Sequence, residues 1–245
     1  MDLLSEISAS LSPGEIEEIH IGEHWTAVVT RVEGFRRCGL ASNPIKSSLA
    51  EKEQAERVHQ RHSSQVICSL ARRPDSHLAS VGMAAINALL PHSPERWTEV
   101  NAGEVIARKG SGKRVALVGH FPFVPQLRES VRQLDVLELS PREGDLHASE
   151  APEIIPQAEV VAITSMAFIN GTLEGLLALC APGAYVIVIG PSTPMSPILF
   201  KYGIDMLGGA VVEDIESVVK GVEEGMHFRE LQHRGVRLVT IVDNA

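Results

Sequence analysis

The fold of this chain is constrained most by an alternation of apolar and amphipathic segments that begins after residue 113. The apolar segments predict strands at 114–119, 135–140, 159–165, 184–190, 205–212 and 236–242. The segments between them predict helices at 124–134, 169–180 and 214–225, and a short helix or turn at 150–158. Strands that are apolar throughout are typical of a parallel sheet with both faces covered. We therefore predict a Rossmann-like, doubly wound α/β domain over residues 106–245.

The first part of the chain has a different pattern. Residues 16–32 predict two strands that join at Gly22-Glu23, and residues 39–41 predict a third short strand. Helices are predicted at 49–62 and at 81–90, where Pro91 ends the second one. This order favours a small α+β domain over residues 1–105.

Composition excludes several classes of protein. The chain has 22 Lys and Arg against 31 Asp and Glu, and its net charge of −9 argues against the basic face that nucleic-acid binding needs. No apolar run approaches the roughly 18 residues of a membrane-spanning helix, and the N-terminus is acidic where a signal peptide is basic. Cys38, Cys68 and Cys180 form neither a disulfide framework nor a CxxC pair. We expect a cytoplasmic protein without a membrane or nucleic-acid partner, and homodimers are the commonest assembly of such chains.

Ligands of open α/β sheets bind beyond the carboxyl ends of the strands. Gly119, His120 and Phe121 follow the first strand, where a dinucleotide-binding protein has a glycine-rich loop. Only Gly119 of such a loop is present, and Phe121 with Pro122 obstruct the approach of a pyrophosphate, so NAD binding is disfavoured. His120 has the chemistry of an acid, a base or a ligand, while a histidine that only bonds a neighbour is an equal alternative.

Glu138 ends the second strand, 19 residues after Gly119. Nucleotide-binding Rossmann units place an acidic residue near there to bind ribose hydroxyls, and adenosyl-type ligands use the same geometry with a looser first loop. The alternative is an exposed polar position in a half-buried strand.

Hydroxyl and amide side chains follow the third strand. Thr164 and Ser165 end it, and Asn170, Gly171 and Thr172 open the next helix. Hydroxyls and free N–H groups at a helix N-terminus are typical of an anion or carboxylate site, and simple N-capping is the alternative.

The loop after the fourth strand contains three prolines in eight residues, GPSTPMSP at 190–197. These prolines predict a rigid loop that presents Ser192, Thr193 and Ser196. Because Ser192 lacks the GxSxG elbow of a hydrolase nucleophile, a ligand clamp is the favoured interpretation.

Metal ligation has one local candidate. His59 and His62 are three residues apart in the predicted helix at 49–62. No Cys or carboxylate accompanies them at a recognised zinc spacing, so an ordinary surface helix is favoured.

Four runs of the second half resemble a known family. VGHFP, LELSPREGD, ITSMAFINGTLEGLL and IGPSTPMSPILFKYGIDMLGG lie within residues 112–245 and resemble the prokaryotic heavy-metal chelation domain, a family of unknown function. The preceding half is similar to that family's usual partner, which has the fold of the enolase N-terminal domain. This similarity rests on the strand pair, RCGLAS at 37–42 and GMAAINALL at 82–90.

The resemblance implies an enolase-N-like domain packed on a Rossmann-like domain similar to that of methyltransferases, with a site in the cleft between them. It also implies the handling or synthesis of small metal chelators, such as siderophores, pterins or flavin-like compounds. The positions that match the family are Gly119, His120, Phe121, Glu138, Asn170, Gly171, Thr172, Ser192, Thr193, Ser196, Pro197, Phe200 and Gly203, with Gly39 and Asn87 as weaker matches. Met166 departs from the small residue expected there and makes that corner more apolar.

Two functions stay open at this point. The favoured one is an enzyme that performs condensation, hydrolysis or group transfer on a small, acidic, partly aromatic molecule. His120 is then the acid or base, Asn170 holds an anionic group, and the loop at 192–197 clamps the ligand. The alternative is a non-catalytic binder of a heavy metal or a metal chelate. A scaffold that works through protein contacts is less attractive, since a rigid polar loop costs stability without a ligand to hold.

Overall fold

A computed structural model describes residues 2–44, 52, 55, 57, 58 and 62–243. Most of the helix predicted at 49–62, and His59 of the predicted histidine pair, lie outside these residues. The described residues form two β-sheets and the helices that cover them.

The first part of the chain has a strand at each of the three segments predicted there, and these strands form an antiparallel sheet of order β1-β2-β3. Its strands are β1 Glu15–Ile21, β2 Trp25–Val32 and β3 Phe35–Ser42. Its helices are α1 Leu3–Ala9, α2 Ser64–Ser69 and α3 His77–Leu89. Glu33 and Gly34, both with positive φ, form the two-residue turn between β2 and β3.

The second part forms a seven-stranded sheet of order β10-β9-β8-β7-β4-β5-β6. Its strands are β4 Arg114–Val118, β5 Gln133–Glu138, β6 Leu146–His147, β7 Val160–Thr164, β8 Tyr185–Ile189, β9 Met206–Val212 and β10 Val236–Val242. Its α-helices are α4 Ala102–Gly110, α5 Val124–Ser130, α6 Ala151–Ile154, α7 Met166–Ile169, α8 Leu173–Leu179, α9 Ile215–Glu223 and α10 Phe228–Gln232. All neighbouring strands are parallel except β9 and β10. The predicted α/β fold is therefore confirmed, with an antiparallel edge strand.

Short 3₁₀ helices complete the fold at Leu70–Arg72, Pro94–Arg96, Ala148–Glu150, Ile155–Gln157 and Pro197–Tyr202.

Two predicted helices differ from the structure. The helix predicted to run to residue 134 ends at Ser130, because β5 begins at Gln133. The helix predicted at 169–180 begins later, as α8 at Leu173, and residues 170–172 separate it from α7, which ends at Ile169. Gly171 has a φ of +70°, which interrupts the helical backbone there.

Both faces of the seven-stranded sheet are buried. Along β4, Val115 and Leu117 belong to one cluster of buried side chains and Ala116 belongs to another, because successive residues of a strand point to opposite faces. Helices α4 and α5 cover the first face through residues such as Val105 and Leu127. The second face shares its cluster with α3, α7 and α8.

The three-stranded sheet is also buried on both faces. Val28 of β2 belongs to the cluster that contains α3, and Val29 belongs to a cluster with Val218 and Val222 of α9. Each fully buried aliphatic side chain of this kind contributes roughly 1.5–3 kcal/mol relative to an exposed one. The two sheets therefore share their cores through α3 on one side and α9 on the other.

Helix α4 packs under the seven-stranded sheet, and the predicted domain boundary at 105/106 falls inside it. The division into two domains stays a prediction. Across the described part of the chain, no helix is both long and apolar enough to span a membrane.

Candidate functional site

The strand order places β4 between β5 and β7, so the carboxyl ends of β4 and β7 are neighbours. Gly119 follows β4 with a φ of +99°, and a Cβ there would lie 2.9 Å from Cβ of Thr164, which ends β7. Only glycine permits this close approach. Gly119 and Thr164 thus meet at the point where the strand order reverses, the usual ligand position of such sheets.

His120 is held at this edge by two carboxylates. Its backbone N–H donates to Glu138 Oε1 at 2.7 Å, and its Nδ1 lies 2.9 Å from Asp145 Oδ2. Glu138 Oε2 also accepts the N–H of Leu139 at 3.1 Å. Both oxygens of Glu138 are therefore bonded to backbone N–H groups, which explains its position without a ribose, and its ribose role stays a prediction.

Phe121 is partly buried, and its ring lies beside Gly119, where an added Cβ would be 3.5 Å from Phe121 Cε2. Its ring stacks on that of Phe123 with centroids 5.2 Å apart, and it packs against the cluster of α4 and α5. A ligand-binding role for Phe121 stays a prediction.

The rigid loop after β8 lies against β3 rather than in solvent. Ser192 is fully buried, and its Oγ accepts the backbone N–H of Ser42 at 2.8 Å. The backbone N–H of Ser192 donates to Ser165 Oγ at 3.2 Å. The Ser192 hydroxyl therefore connects the loop after β8 to β3, the Ser165 hydroxyl holds that loop beside the end of β7, and the clamp predicted for Ser192 stays a prediction.

Two buried polar atoms beside this loop have no hydrogen-bond partner within the described residues. The Asn87 amide donates to Leu40 O at 2.9 Å and to Ser192 O at 3.3 Å, but its Oδ1 is unpaired. Thr193 is 1% exposed, and its Oγ1 is unpaired as well. Buried polar atoms are normally satisfied, so these two oxygens are candidates for hydrogen bonds with a ligand.

Asn87 and Thr193 both line a cavity of about 410 Å³, the inter-sheet cavity, between β3 and α3 on one side and β9 with its preceding loop on the other. Its other lining residues are Phe35, Arg36, Arg37, Cys38, Gly39, Ala88, Leu90, Pro91, His92, Trp97, Met195, Ala210, Val211 and Val212. A second cavity of about 230 Å³, which Ser196 helps to line, shares Trp97 and Met195 with it. Of the predicted residues, Asn87, Thr193 and Ser196 thus lie at adjoining cavities.

The described residues that line the inter-sheet cavity include two arginines and no Asp or Glu. Arg36 is paired with Glu17, Glu18 and Glu216. Arg37 forms no ion pair within residues 2–44 or with any other described residue, and its Nη1 donates to Leu90 O at 3.1 Å. Arg37 is therefore the positive charge that this cavity leaves uncompensated.

Residues 170–172 lie elsewhere. Asn170 Oδ1 accepts the N–H of Thr172 at 3.2 Å and its hydroxyl at 2.7 Å, and a Cβ on Gly171 would lie 3.3 Å from Pro74. Gly171 lines a separate cavity together with the carboxylates Asp2 and Glu174. Arg72, which pairs with Asp2, lines the same cavity, so the charges there are partly balanced and the anion site predicted at 170–172 stays a prediction.

Direct metal ligation does not fit the residues that the structure describes. They contain no group of three or more His, Cys, Asp or Glu side chains that could hold a metal ion. In the inter-sheet cavity only Cys38 and His92 are of these types, and burial raises the pKa of the Cys38 thiol to about 12. A thiol that resists deprotonation is a poor metal ligand.

Sequence reasoning missed Asp145, Arg37 and Trp97. Asp145 ends the LELSPREGD run and Arg37 begins the RCGLAS run, so membership of these two runs was the available signal. Trp97 is one of two tryptophans in the chain, and this rarity was its only signal.

Two family models match this chain, over residues 4–90 and over residues 101–241, and both carry the description "Putative heavy-metal chelation". A protein of Methanocaldococcus jannaschii, named only as uncharacterized, is 28% identical over 147 residues, which are 57% of this chain and 57% of that protein. The chain thus matches little more than half the length of this curated relative.

Two crystal structures of proteins with unknown function, both from the family of the second model, are similar to this chain. The one from Desulfitobacterium hafniense is 25% identical with a TM-score of 0.83, and 98% of each chain is covered. The one from Pyrococcus horikoshii is 17% identical with a TM-score of 0.83 and the same coverage, which shows a common fold. Because the match over residues 101–241 spans more than half of the 245 residues, this chain belongs to the family that carries the heavy-metal chelation description.

Proposed function

We propose that this protein binds a small, planar, negatively charged molecule in the inter-sheet cavity. The observation that carries the proposal is the Arg37 guanidinium, which lines a cavity without carboxylates and has no ion pair within the described residues. A partly buried cation without a counter-charge is costly, and an anionic ligand removes that cost.

The rest of the lining supports a planar ligand with polar edges. Trp97 and His92 form an edge-to-face ring pair, with centroids 4.8 Å apart, in the cavity wall. Aromatic walls favour flat, apolar ring systems. The unpaired oxygens of Asn87 and Thr193 accept hydrogen bonds from ligand N–H or O–H groups once a ligand enters and these side chains adjust.

Chelators of the siderophore, pterin or flavin type combine a flat ring with charged oxygens, and they agree with the family description. A metal would then arrive bound to its organic chelator, since the described residues offer no ligand set of their own. Whether the bound molecule is transformed or only held is the difference between an enzyme and a binder of metal chelates.

The test uses Trp97 as the reporter. The chain has two tryptophans, so a Trp25→Phe variant leaves Trp97 as the sole tryptophan. Its fluorescence is titrated with pterin-6-carboxylate and with neutral pterin as a matched probe. We expect the carboxylate to bind more tightly, and Arg37→Gln to weaken its binding by about tenfold or more, the equivalent of one charged hydrogen bond.

Arg132→Gln is the control, because Arg132 pairs with Glu159 at an exposed position outside the cavity lining. Native mass spectrometry of the purified protein, beside its denatured mass, identifies any molecule that co-purifies. The proposal is wrong if neither probe changes Trp97 fluorescence and no adduct appears, or if both probes bind equally and Arg37→Gln has no effect.

A further inference from the structure

His120 and Asp145 form a second candidate site, outside the inter-sheet cavity. Two contacts fix the histidine: its backbone N–H donates to Glu138, and its Nδ1 lies 2.9 Å from Asp145 Oδ2. The side chain is 18% exposed. Its Nε2 makes no hydrogen bond with any residue that the structure describes. The ring is therefore held in one orientation with one nitrogen free for another molecule.

Asp145 is a buried carboxylate with unused hydrogen-bonding capacity. Its side chain is 1% exposed. Oδ2 bonds His120 and also accepts the N–H of Arg142 at 3.2 Å. Oδ1 has no hydrogen-bond partner within the described part of the chain, and its ion-pair partner Arg128 stands 3.8 Å away. Burying such a carboxylate costs stability that a neutral side chain would not cost, and such costs are typical of functional sites.

Arg128 of α5 and the backbone of the loop itself hold the loop that contains Asp145. Arg128 of α5 donates to Gly144 O at 2.9 Å and to Leu134 O at 3.2 Å. Asp145 N–H donates to Arg142 O at 3.0 Å. The carboxylate is therefore placed by main-chain and guanidinium contacts that do not depend on His120.

We propose that His120 and Asp145 are an acid–base pair that exchanges a proton with a small molecule bound at the carboxyl edge between β4 and β7. His120 is the catalytic residue and Asp145 is its positioning residue. The Nδ1–H group donates a hydrogen bond to the Asp145 carboxylate, which stays ionised, and the lone pair of Nε2 is then the proton acceptor.

The substrate class is a small molecule with an acidic hydroxyl, such as a phenol, or an ammonium group. Its O–H or N–H bond breaks, the electron pair stays on the oxygen or nitrogen, and the proton forms a bond with Nε2. Asp145 stabilises the resulting imidazolium, and the proton returns from Nε2 to the same oxygen or nitrogen when the exchange reverses. No oxidant or reductant is needed.

Thr164 is the second polar group at this edge. Thr164 lies beside Gly119, which directly precedes His120: a Cβ added to Gly119 would be only 2.9 Å from Thr164 Cβ. Its Oγ1 accepts the N–H of Met166 at 3.3 Å, so its own hydroxyl hydrogen is available to a ligand. The edge thus offers one proton acceptor and one donor at the point where the strand order reverses.

This site is independent of the function proposed above, because neither His120 nor Asp145 lines the inter-sheet cavity. Loss of pterin-6-carboxylate binding and loss of His120 reactivity are separate measurements, and one can fail while the other succeeds.

The first test is the tautomer of His120, measured by long-range ¹H–¹⁵N NMR on protein with labelled histidine. His120→Gln identifies its signals. We expect the neutral ring to carry its proton on Nδ1 in the wild type, and Asp145→Asn to remove this preference. Asp135→Asn on β5 is the control and leaves the tautomer unchanged. A proton on Nε2 in the wild type overturns the proposal, and so does an unchanged tautomer in Asp145→Asn.

The second test is reactivity toward 4-nitrophenyl acetate, which a neutral, accessible imidazole hydrolyses. We expect His120→Gln to lower the protein-dependent rate at least tenfold and Asp145→Asn to lower it several-fold, with folding checked by circular dichroism. His233→Gln, at an exposed histidine, is the control. An unchanged rate in His120→Gln means that His120 is not an available base. This test needs no folded Asp145 variant.

Discussion

The backbone N–H of Ser42 donates a hydrogen bond of 2.8 Å to the hydroxyl of Ser192, and these residues belong to different sheets. Ser80 of α3 completes the junction, because its hydroxyl donates to Ser42 O at 2.8 Å. Asn87, two turns further along the same face of α3, donates to Ser192 O. The junction beside the inter-sheet cavity is therefore a small hydrogen-bonded network that Asn87 links to the cavity lining.

Ser192→Ala is expected to destabilise the protein by about 1–3 kcal/mol, because it leaves the Ser42 N–H without its acceptor. Urea unfolding followed by circular dichroism measures the difference. Ser130→Ala is the matched control: its hydroxyl bonds Gln126 O at an exposed position, and the expected change is within about 0.5 kcal/mol. Equal midpoints for both variants would show that the junction contributes nothing.

Gly39→Ala tests how closely β3 packs on α3. A Cβ at Gly39 would lie 2.1 Å from Ala84 O and 2.5 Å from Ala88 N, so the helix must move away from the strand. We expect a loss of at least about 1–3 kcal/mol, the usual cost of overpacking a core. Gly39, a weaker match to the family, is then important because it allows β3 and α3 to pack closely.

Gly175→Ala is the matched change at a glycine with open space. It lies in α8, and a Cβ there would meet no atom within 4 Å. Alanine is favoured over glycine in a helix, so we expect a gain of about 0.5–1 kcal/mol. A similar loss for Gly39→Ala and Gly175→Ala in urea unfolding would contradict this account of Gly39.

The alternating pattern was sufficient to predict the strands of the seven-stranded sheet apart from β6. Leu146–His147 is only two residues long, too short to leave a pattern. The pattern also could not predict that β10 is antiparallel to β9, because the apolar residues of a buried strand do not indicate its direction in the sheet. Gly171 was read as part of a helix start, and its left-handed backbone instead separates α7 from α8.

The candidate sites were harder to predict because they depend on contacts between distant segments. His120 was chosen from its place after β4, but its partner Asp145 is 25 residues away in a polar loop. The sequence predicts that Ser192 faces a ligand. Nothing in the sequence near residue 192 indicates that its hydroxyl accepts a hydrogen bond from the backbone N–H of Ser42. Arg37 gains its significance only from the absence of carboxylates around the cavity.

The three cysteines are expected to react slowly with an aromatic disulfide reagent in the native state at pH 8. Burial raises the pKa of Cys38 and Cys68 to about 12 and that of Cys180 to about 11. At pH 8, a thiol with a pKa of about 11 instead of 9.0 has a thiolate fraction that is lower roughly a hundredfold, and one with a pKa of about 12 has a fraction lower roughly a thousandfold, which slows the reaction accordingly. Cys180 is partly exposed and is expected to react first.

Stopped-flow absorbance in native buffer and in concentrated urea checks this expectation. All three thiols react rapidly once the chain is unfolded, and Cys180→Ser removes the fastest native phase. A rapid native reaction that survives Cys180→Ser would mean that Cys38 or Cys68 is accessible.

Asp2 couples the N-terminal helix to the rest of the fold in a pH-dependent manner. Its carboxylate accepts two hydrogen bonds of 2.8 Å from Arg72 and one of 2.9 Å from the N–H of Ser5. The Arg72 bonds, followed by the Ser5 bond, hold the pKa of Asp2 well below its ordinary value. A carboxyl group with a lowered folded-state pKa stabilises the protein above its unfolded pKa of about 3.9. This contribution is lost as the pH falls toward the folded-state pKa.

Asp2→Asn separates the charge from the helix cap, because asparagine caps a helix N-terminus as well as aspartate does. The side chains of Asp2 and Arg72 are 43% and 41% exposed, so we expect the variant to lose no more than about 1 kcal/mol at pH 6. The difference in the free energy of unfolding between the variant and the wild type should be smaller at pH 3. At that pH the Asp2 carboxylate is largely protonated in the unfolded chain, whereas in the folded protein its lowered pKa resists protonation. The midpoints of urea unfolding at pH 6 and pH 3 measure this difference in stability. Glu129→Gln, at an exposed position of α5, is the control. A difference that is the same at pH 6 and pH 3 would mean that the Asp2 charge does not contribute to folding, and that Asp2 acts only as the cap of α1.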